Sequence, residues 1–558
     1  MLEIKPIALI FLVLICAFFS FSPSLNNGFT NWDDQFYVID NPDVKDLSLK
    51  GLNEIFTTFH RGLYKPFVIL SFAVEYHFFK LDPSAYHKTN LILHLINCIL
   101  VFVFISILCA NSWVAFISAL LFGIHPLHVE SVAWITERKD MLYAFFFLGS
   151  LISYLNFRRG QGMKYYYFSL FLFVASLFSK PMGIFLPFMT FACDYLQGKR
   201  FDKNNFLQKI PFFIIAAAFV GLTFNATKDY VKYEPYFNAL DNVFIGCYGV
   251  VFYIVKFFVP FNLSALYPYP SKVGSYLPAV FLLSPLAVIF FLWGALKTGK
   301  YTKDIIFGIV FYLLAVFPGL QFVPSGPAIA ADRYAYISSI GIFYIVGAVI
   351  FRFYSKKLKN NFLTALVSVF LVFMMAGLMF LTRDRCKIWH DSVTLWSSVI
   401  VKFPDAKLPY QNRGAAYLEL GDFDNAALDF KRAIYLDPVH AVLYDNLGKA
   451  YAGKGDFDNA ILDFKRAIYL DPGQSDTYYN LGNAYAGKGD FESAFSCYDR
   501  ALSIDPGNGN AYYNRAVTYF LNQEYNKAWA DMHSAQYHGY EGDPNFLEDL
   551  KKVSGRQE

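Results

Sequence analysis

Two neighbouring carboxylates, Asp33 and Asp34, follow Trp32 shortly after the first apolar stretch of the chain. At a membrane edge such a pair has chemistry available. One carboxylate can take the proton of a hydroxyl as a general base, and the second can converge on the same substrate or hold a cation. The same spacing also serves a solvated N-cap or turn. Like charges side by side are costly in low dielectric, and ionisable groups in or beside a bilayer are functional candidates. Further polar clusters interrupt the apolar sequence. They are Tyr64-Lys65-Pro66; His87, Asn90 and His94, which share one helical face; His125-Pro126-Leu127-His128-Val129-Glu130, running on to Arg138-Lys139-Asp140; Lys180-Pro181; and Asp332-Arg333-Tyr334. His125, His128 and Glu130 are metal-ligating types without a recognised ligand spacing. No metal site is expected there, and satisfied polar residues at a helix junction are the preferred reading. Cations spread over several external loops suit a lipid-linked phosphate, whose oxygens Lys or Arg neutralises. On charge alone a transporter for an anion fits as well.

The elements that must position these residues are apolar. Of 558 residues, 56% are hydrophobic and 16% charged, against roughly 45–50% and 25% in soluble domains. Disorder, a collagen-like fibre and a small disulfide scaffold are excluded. Seven cysteines without a CxxC pair read as buried small hydrophobes. Charge is divided along the chain: residues 1–404 carry 33 Lys+Arg and 21 Asp+Glu, residues 405–558 carry 15 and 23. The basic charge is scattered between hydrophobic runs, so nucleic acid is not an expected partner. Membrane lipid is.

Apolar stretches long enough to span recur at 6–23, 91–109, 113–124, 141–157, 165–178 and 183–195, then at 210–223, 243–261, 277–296, 305–320, 336–351 and 362–381. Lys and Arg in short loops mark the cytoplasmic turns: Arg158/Arg159/Lys164, Lys199/Arg200/Lys203, Lys297/Lys300/Lys303 and Arg352/Lys356/Lys357/Lys359. The loops between them, including 24–90, 125–140 and 321–335, then face the other side, as does everything after Leu381. Twelve stretches conflict with that orientation, which needs an odd number. The parity breaks between 205 and 276, where 243–261 is expected to be re-entrant or interfacial. Residues 67–79, interrupted by Glu75, His77 and Lys80, read as an amphipathic helix on the outer surface.

After residue 405 the sequence repeats every 34 residues, visible in Asp437-Pro438, Asp471-Pro472 and Asp505-Pro506, and in Gly421-Asp422, Gly455-Asp456 and Gly489-Asp490. The units resemble tetratricopeptide repeats, near 407–440, 441–474, 475–508 and 509–541, the last degenerate. In a stacked solenoid equal positions align, so Asn412, Asn446, Asn480 and Asn514 form a row of amides able to hold a peptide backbone, as in the repeats of protein O-GlcNAc transferase, which they resemble. Solvated polar residues would fall there too.

The ordered set Trp32-Asp33-Asp34, Tyr64-Lys65-Pro66, His87…Asn90…His94, His125-Pro126-Leu127-His128-Val129-Glu130-Ser131-Val132-Ala133, Arg138…Asp140, Ser179-Lys180-Pro181 and Asp332-Arg333-Tyr334, followed by repeats, resembles the transmembrane and tetratricopeptide-repeat-containing O-mannosyltransferases, of the GT-C type. Lys65 stands where relatives usually carry Arg, four repeats are fewer than usual, and residues 263–267 lack an acidic residue common there. The resemblance implies an all-α fold, a polytopic bundle of about eleven to twelve spans followed by an α-solenoid. It divides into a first helix (1–23), an extracytoplasmic loop (24–90), a multi-span domain (91–381), a linker (382–406), the repeats (407–541) and a tail (542–558). It implies transfer of a sugar, mannose in the first instance, from a polyprenyl-phosphate donor to Ser or Thr hydroxyls of a protein acceptor held by the repeats. Asp34, set slightly ahead of Asp33, would be the base. Lys65, Arg138, Lys180 and Arg333 would hold the donor phosphate. His87, His94, His125, His128, Glu130, Asp140 and Asp332 would position substrate. No cofactor is fixed by the resemblance, although a divalent cation is compatible with it. The compartment would be the periplasmic side of a bacterial inner membrane or the lumenal side of the endoplasmic reticulum. Two rivals stand beside this: the same fold acting on a glycan or lipid acceptor, and a non-catalytic membrane anchor whose repeats recruit partners.

Overall fold

The computed structural model describes residues 5–227, 237–355 apart from 273, 275 and 325, 361–540 and 542–556. Lys356, Lys357 and Lys359, and the middle of the segment where the span parity breaks, lie outside the described residues. The chain forms two compact units, Met1–Ser398 and Val399–Glu558.

Unit 1 is a helical bundle. Among the described residues nine helices have the length and apolarity to cross a bilayer, and a tenth candidate, Ser112–Ile124 with Pro126–Ala133, is bent by 56°. Three stretches expected to span form shorter helices: Ser112–Ile124 of 13 residues, Met163–Ser179 of 17 and Leu186–Leu196 of 11. At ~1.5 Å per residue these fall short of the ~30 Å hydrocarbon core. Prolines set their limits. Pro126 follows the first, Pro181 follows the second, and Pro181 and Pro187 bracket the 3-10 turn before the third. Residues 243–258 of the stretch expected to be re-entrant or interfacial lie in one continuous helix, Ala239–Phe258, started by an Asn238–Asp241 capping box; it is not re-entrant and is long enough to span. Thr302–Val316 packs tightly on Ala335–Ser355 because Gly341 faces Gly308, where any Cβ would strike the opposite backbone. A two-stranded antiparallel pairing of Tyr267–Pro268 with Ala328–Ala330 ties two interhelical loops together.

The helix Pro66–Phe79 corrects the amphipathic-surface expectation. Val74, Phe78 and Phe79 are exposed while Val68, Ile69, Phe72 and Ala73 are buried, so apolar groups cover both sides. Glu75 points inward and forms an ion pair with Arg138, its Oε2 2.9 Å from Nη2 and its Oε1 accepting from Nη2 at 3.2 Å. The reason is Arg138, which is completely buried and needs a counter-charge. Its guanidinium also donates to Tyr86 O at 2.9 Å and to Asn90 Oδ1.

Unit 2 is four helix pairs: Lys407–Glu419 with Phe423–Leu436, Ala441–Gly453 with Phe457–Leu470, Ser475–Lys488 with Phe491–Ile504, and Gly509–Leu521 with Tyr525–Tyr537. Gly448 lets the paired helices approach, since a Cβ there would meet the Phe464 ring at 2.7 Å. Asp422, Asp456 and Asp490 cap the second helices of the first three pairs through N–H donors at Asn425, Asn459 and Ser493. Glu524 makes no such side-chain cap, which is the physical content of the degenerate fourth turn. The expected tail is a closing helix, Pro544–Ser554, whose Leu550 is buried with Ala528 and Trp529. It covers the apolar end that a solenoid otherwise leaves open.

Arg138→Met is expected to destabilise unit 1 by ~3–5 kcal/mol, because Glu75 is left charged and unpaired. Adding Glu75→Gln should recover most of that loss. Thermal unfolding in detergent checks both.

Candidate functional site

Every charged group near the site enters unit 1 where a helix begins or breaks. Lys65 directly precedes Pro66–Phe79, and Lys139 lies in the first turn of Arg138–Arg158. Lys180 occupies the extended break between Ser179 and the turn Pro181–Phe185, and Arg333 the 3-10 turn Asp332–Tyr334. Asp33 stands just ahead of a short π-helix, Gln35–Ile39. These five residues line one cavity of about 450 Å³, together with Tyr334.

Three of the four cations share a buried carboxylate. Glu137, with no exposure, lies 2.8 Å from Lys139 Nζ, 3.4 Å from Arg333 Nε and 4.0 Å from Lys180 Nζ. Arg333 also pairs with Glu130, and Lys180 with Asp140. Lys65 is different. Its Nζ sits 3.1 Å above the Tyr37 ring, and no carboxylate among the described residues is within ion-pair distance. Burial, reinforced by Lys139, pulls its ammonium well below the ordinary lysine value. An anion entering the cavity would relieve that penalty most at Lys65.

The two aspartates face different ways. Asp34 is buried. Its Oδ2 accepts from Thr30 N at 2.9 Å and Thr30 Oγ1 at 3.1 Å, and its Oδ1 from Thr136 N at 3.1 Å. It ties its loop to the turn before Arg138–Arg158. Asp33 is half-buried, lines the cavity and makes no side-chain hydrogen bond among the described residues. This reverses the order in which the pair was expected to face a reactant.

Other expected site residues are drawn into the scaffold. Arg138 is turned to Glu75 and lines no part of the cavity; Lys139, its neighbour, does. His87 Nε2 lies 3.3 Å from Gly28 O, His94 Nδ1 2.8 Å from Tyr336 Oη, His125 Nε2 3.1 Å from Phe257 O, and His128 Nδ1 2.7 Å from Phe122 O. All four histidines are buried, His87 and His94 within the helix Pro83–Cys109 and His125 and His128 where two helices meet, and all join backbone carbonyls or hydroxyls. Asp332 is buried too, receiving Arg385 Nη2 at 2.5 Å and Tyr267 Oη at 2.8 Å. Among the described residues no group of three or more His, Cys, Asp or Glu has the arrangement of a metal site. Glu137, Lys139 and Tyr37 were missed from sequence. The signal for the first two was available: Glu137-Arg138-Lys139-Asp140 is a run of four charges inside an apolar region.

In unit 2, Asn480 Nδ2 donates to Asp445 at 3.1 Å, and Asn514 Nδ2 to Tyr479 Oη at 2.8 Å and Asn483 Oδ1 at 3.0 Å. Asn412 has interactions of its own. Asn446 is half-buried and has no hydrogen-bond partner among the described residues.

Burial lifts the Asp34 carboxyl from its ordinary 3.8 to about 6, against the hydrogen bonds from Thr30 and Thr136 that lower it. The folded protein thus binds this proton more tightly than the unfolded chain, a contribution complete below 3.8 and lost as the pH rises through about 6. Asp34→Asn has no proton to release. Its unfolding free energy should fall by on the order of 3 kcal/mol less than wild type from about pH 4 to pH 7, at ~1.4 kcal/mol per unit. Thermal unfolding across that range tests it.

The tetratricopeptide repeat family model matches residues 409–440 and 475–508, and related repeat models match 448–489 and 497–530. Protein O-mannosyl-transferase F38B6.6 of Caenorhabditis elegans is 25% identical over 436 residues, covering 74% of this chain and 59% of that protein. Protein O-mannosyl-transferase TMTC3 of Mus musculus is 24% identical over 489 residues, covering 78% and 52%. The chain spans about half the length of these curated relatives. The crystal structure of MamA aligns with a TM-score of 0.25 and 25% identity over 29% of this chain and 89% of its own. With spans at one end, repeats at the other and relatives matching across both, the chain is a multi-pass membrane relative of the transmembrane and tetratricopeptide-repeat-containing protein O-mannosyltransferases.

Proposed function

We propose that the protein is a membrane glycosyltransferase that moves a sugar, mannose by the names of its relatives, from a polyprenyl-phosphate donor to a Ser or Thr hydroxyl of a protein on the extracytoplasmic side. The observation that carries this reading is one cavity whose wall sets a half-buried carboxylate, Asp33, among four cations, Lys65, Lys139, Lys180 and Arg333. In this reading Asp33 takes the proton from the acceptor hydroxyl. The freed oxygen forms a bond to the anomeric carbon as the bond from that carbon to the phosphate oxygen breaks, inverting the centre. The bonding electrons leave with the polyprenyl phosphate. A phosphate is weakly basic, so its departure needs positive charge rather than a general acid. Lys65, which has no carboxylate within ion-pair distance among the described residues, gains most from receiving it. Glu130, Glu137 and Asp140 hold the other three cations in place. Asp34 supports the loop, and Asp33 is assigned the base role instead.

The repeats are assigned to the acceptor. A stack of paired helices offers an extended groove, and the amide of Asn446, which has no hydrogen-bond partner among the described residues, is assigned to a peptide backbone. A binding scaffold alone would have no use for a buried carboxylate holding three cations around a cavity, which favours an enzyme over an anchor. A glycan or lipid acceptor on the same machinery is separated by mass spectrometry of the products.

Asp33→Asn is expected to lower kcat by ~10²–10⁴-fold while donor KM stays within about threefold, as loss of a general base requires. Lys65→Met should instead raise donor KM by ~10–100-fold, the worth of one charge-assisted contact. Transfer of radiolabelled sugar from a polyprenyl-phosphate donor measures both, and wild-type rates in Asp33→Asn would refute the base.

For the groove, Asn446→Ala should raise KM for a protein acceptor by about tenfold, equivalent to ~1.4 kcal/mol. Donor KM should not move. Unchanged acceptor KM would refute the assignment of Asn446.

A further inference from the structure

The loop that carries Asp33 lacks regular structure where it most needs support. The 3-10 turn Ser22–Asn26 ends before it and the π-helix Gln35–Ile39 begins after it, so the backbone of residues 27–34 must find partners elsewhere. Thr30 N turns to Asp34 within the loop and Gly28 O meets His87, while Gly28 N and Asn31 N find their partners in residues 386–396, where the chain leaves the long helix Asn361–Cys386. Asn27 Nδ2 donates to Cys386 O at 3.1 Å, Gly28 N to His390 O at 2.8 Å, and Asn31 N to Ser392 Oγ at 2.8 Å. In the opposite direction Trp396 Nε1 donates to Asn31 Oδ1 at 2.8 Å.

A stack of tryptophans joins the same two segments. Trp32, next to Asp33, has its ring centroid 4.9 Å from Trp134, 4.9 Å from Trp396 and 6.4 Å from Trp389, and Trp134 lies 5.4 Å from Trp389. Trp389 and Trp396 are completely buried. On its other side Trp134 meets cations of the cavity wall, with Lys139 Nζ at 5.3 Å and the Arg333 guanidinium at 5.7 Å from its ring. One aromatic body therefore touches the neighbour of the carboxylate and two of the cations that face it.

We infer that Ser392 and Trp396, with Trp389 behind them, are positioning residues: they clasp residues 27–32 and so set the aim of Asp33 across the cavity. The segment expected to be a linker, 382–406, thereby acts on the reaction through the loop it holds. The inference rests on the transfer reaction proposed above. Aim matters because a misplacement of about 1 Å at a reacting group can lower a rate by ~10²-fold.

Trp396→Phe keeps an aromatic ring and removes the Nε1 donor; Ser392→Ala removes one hydroxyl. In the full-length protein in lipid nanodiscs, the combined variant should lose ~10–100-fold in kcat with donor KM within about twofold. Amide hydrogen exchange over residues 27–34 should accelerate at least about tenfold, while that of residues 141–155 stays unchanged. Unchanged exchange over 27–34, or a rise in donor KM without a fall in kcat, overturns the clasp. If wild-type protein transfers no sugar to any acceptor, the reaction reading fails, and the clasp is then judged on exchange alone. If the double variant does not fold, Ser392→Ala alone carries the same two readouts.

Discussion

A carboxylate with no exposure to solvent, Glu137, has Lys139, Arg333 and Lys180 around it within 4.0 Å. Moving any one of these ions out of water is expensive, and their mutual attraction offsets the expense only when each keeps its partners. Four helix starts and breaks therefore have to meet at one place. The turn Ile135–Glu137 supplies the carboxylate, Arg138–Arg158 begins with one lysine, the break at Ser179-Lys180-Pro181 brings the second, and Asp332–Tyr334 brings the arginine. Glu130 and Asp140 complete the balance at Arg333 and Lys180. The cavity is the space these groups leave when they satisfy each other.

That constraint separates scaffold from reactive surface. Arg138 and Glu75 form a second buried pair one residue away in sequence, and Asp332 with Arg385 a third. Each pair closes on itself and presents nothing to the cavity. Lys65 and Asp33 are the two wall residues left outside such pairing, one resting on Tyr37 and the other without a side-chain hydrogen bond among the described residues. A cation with its ammonium destabilised by burial and a carboxylate held half-exposed are both poised to gain from a ligand.

Much of this was legible in the sequence, and the parts that were not share a cause. The 34-residue period specified the helix pairs of unit 2, because Gly, Ala and aromatic residues recur at the positions that pack. The charged clusters specified which loops would converge, because most of the charge in this apolar bundle stands at helix ends and breaks, with Glu75 inside a helix as an exception. Within a cluster, however, adjacent residues differ by about 100° around a helix, and sequence alone does not reveal which one faces inward. Arg138 was taken for Lys139 on that account, and Asp34 was set ahead of Asp33 in a non-helical loop where no period applies. The four histidines were candidates by type, yet each is used to tie its helix or turn to a carbonyl or hydroxyl of another segment or turn, a demand that appears only once helices are packed. Glu75 looked like the polar face of a surface helix because its partner lies 63 residues away.

The long separation of partners also explains why the reactive loop is built as it is. A carboxylate such as Asp33, in a loop between two short turns, has little local structure to hold it, and lengthening the turns would bury it. Support from a distant segment avoids that choice: residues 386–396 contribute hydrogen bonds and stacked rings from behind, leaving the cavity side of the loop open. The same segment is where the chain passes from the last span toward the repeats. Any variant that loosens it would act on Asp33 through Trp32 and Asn31, without altering the charge of the cavity. Rate and affinity would then change independently, which is the behaviour expected when one set of residues binds a phosphate and another aims the base.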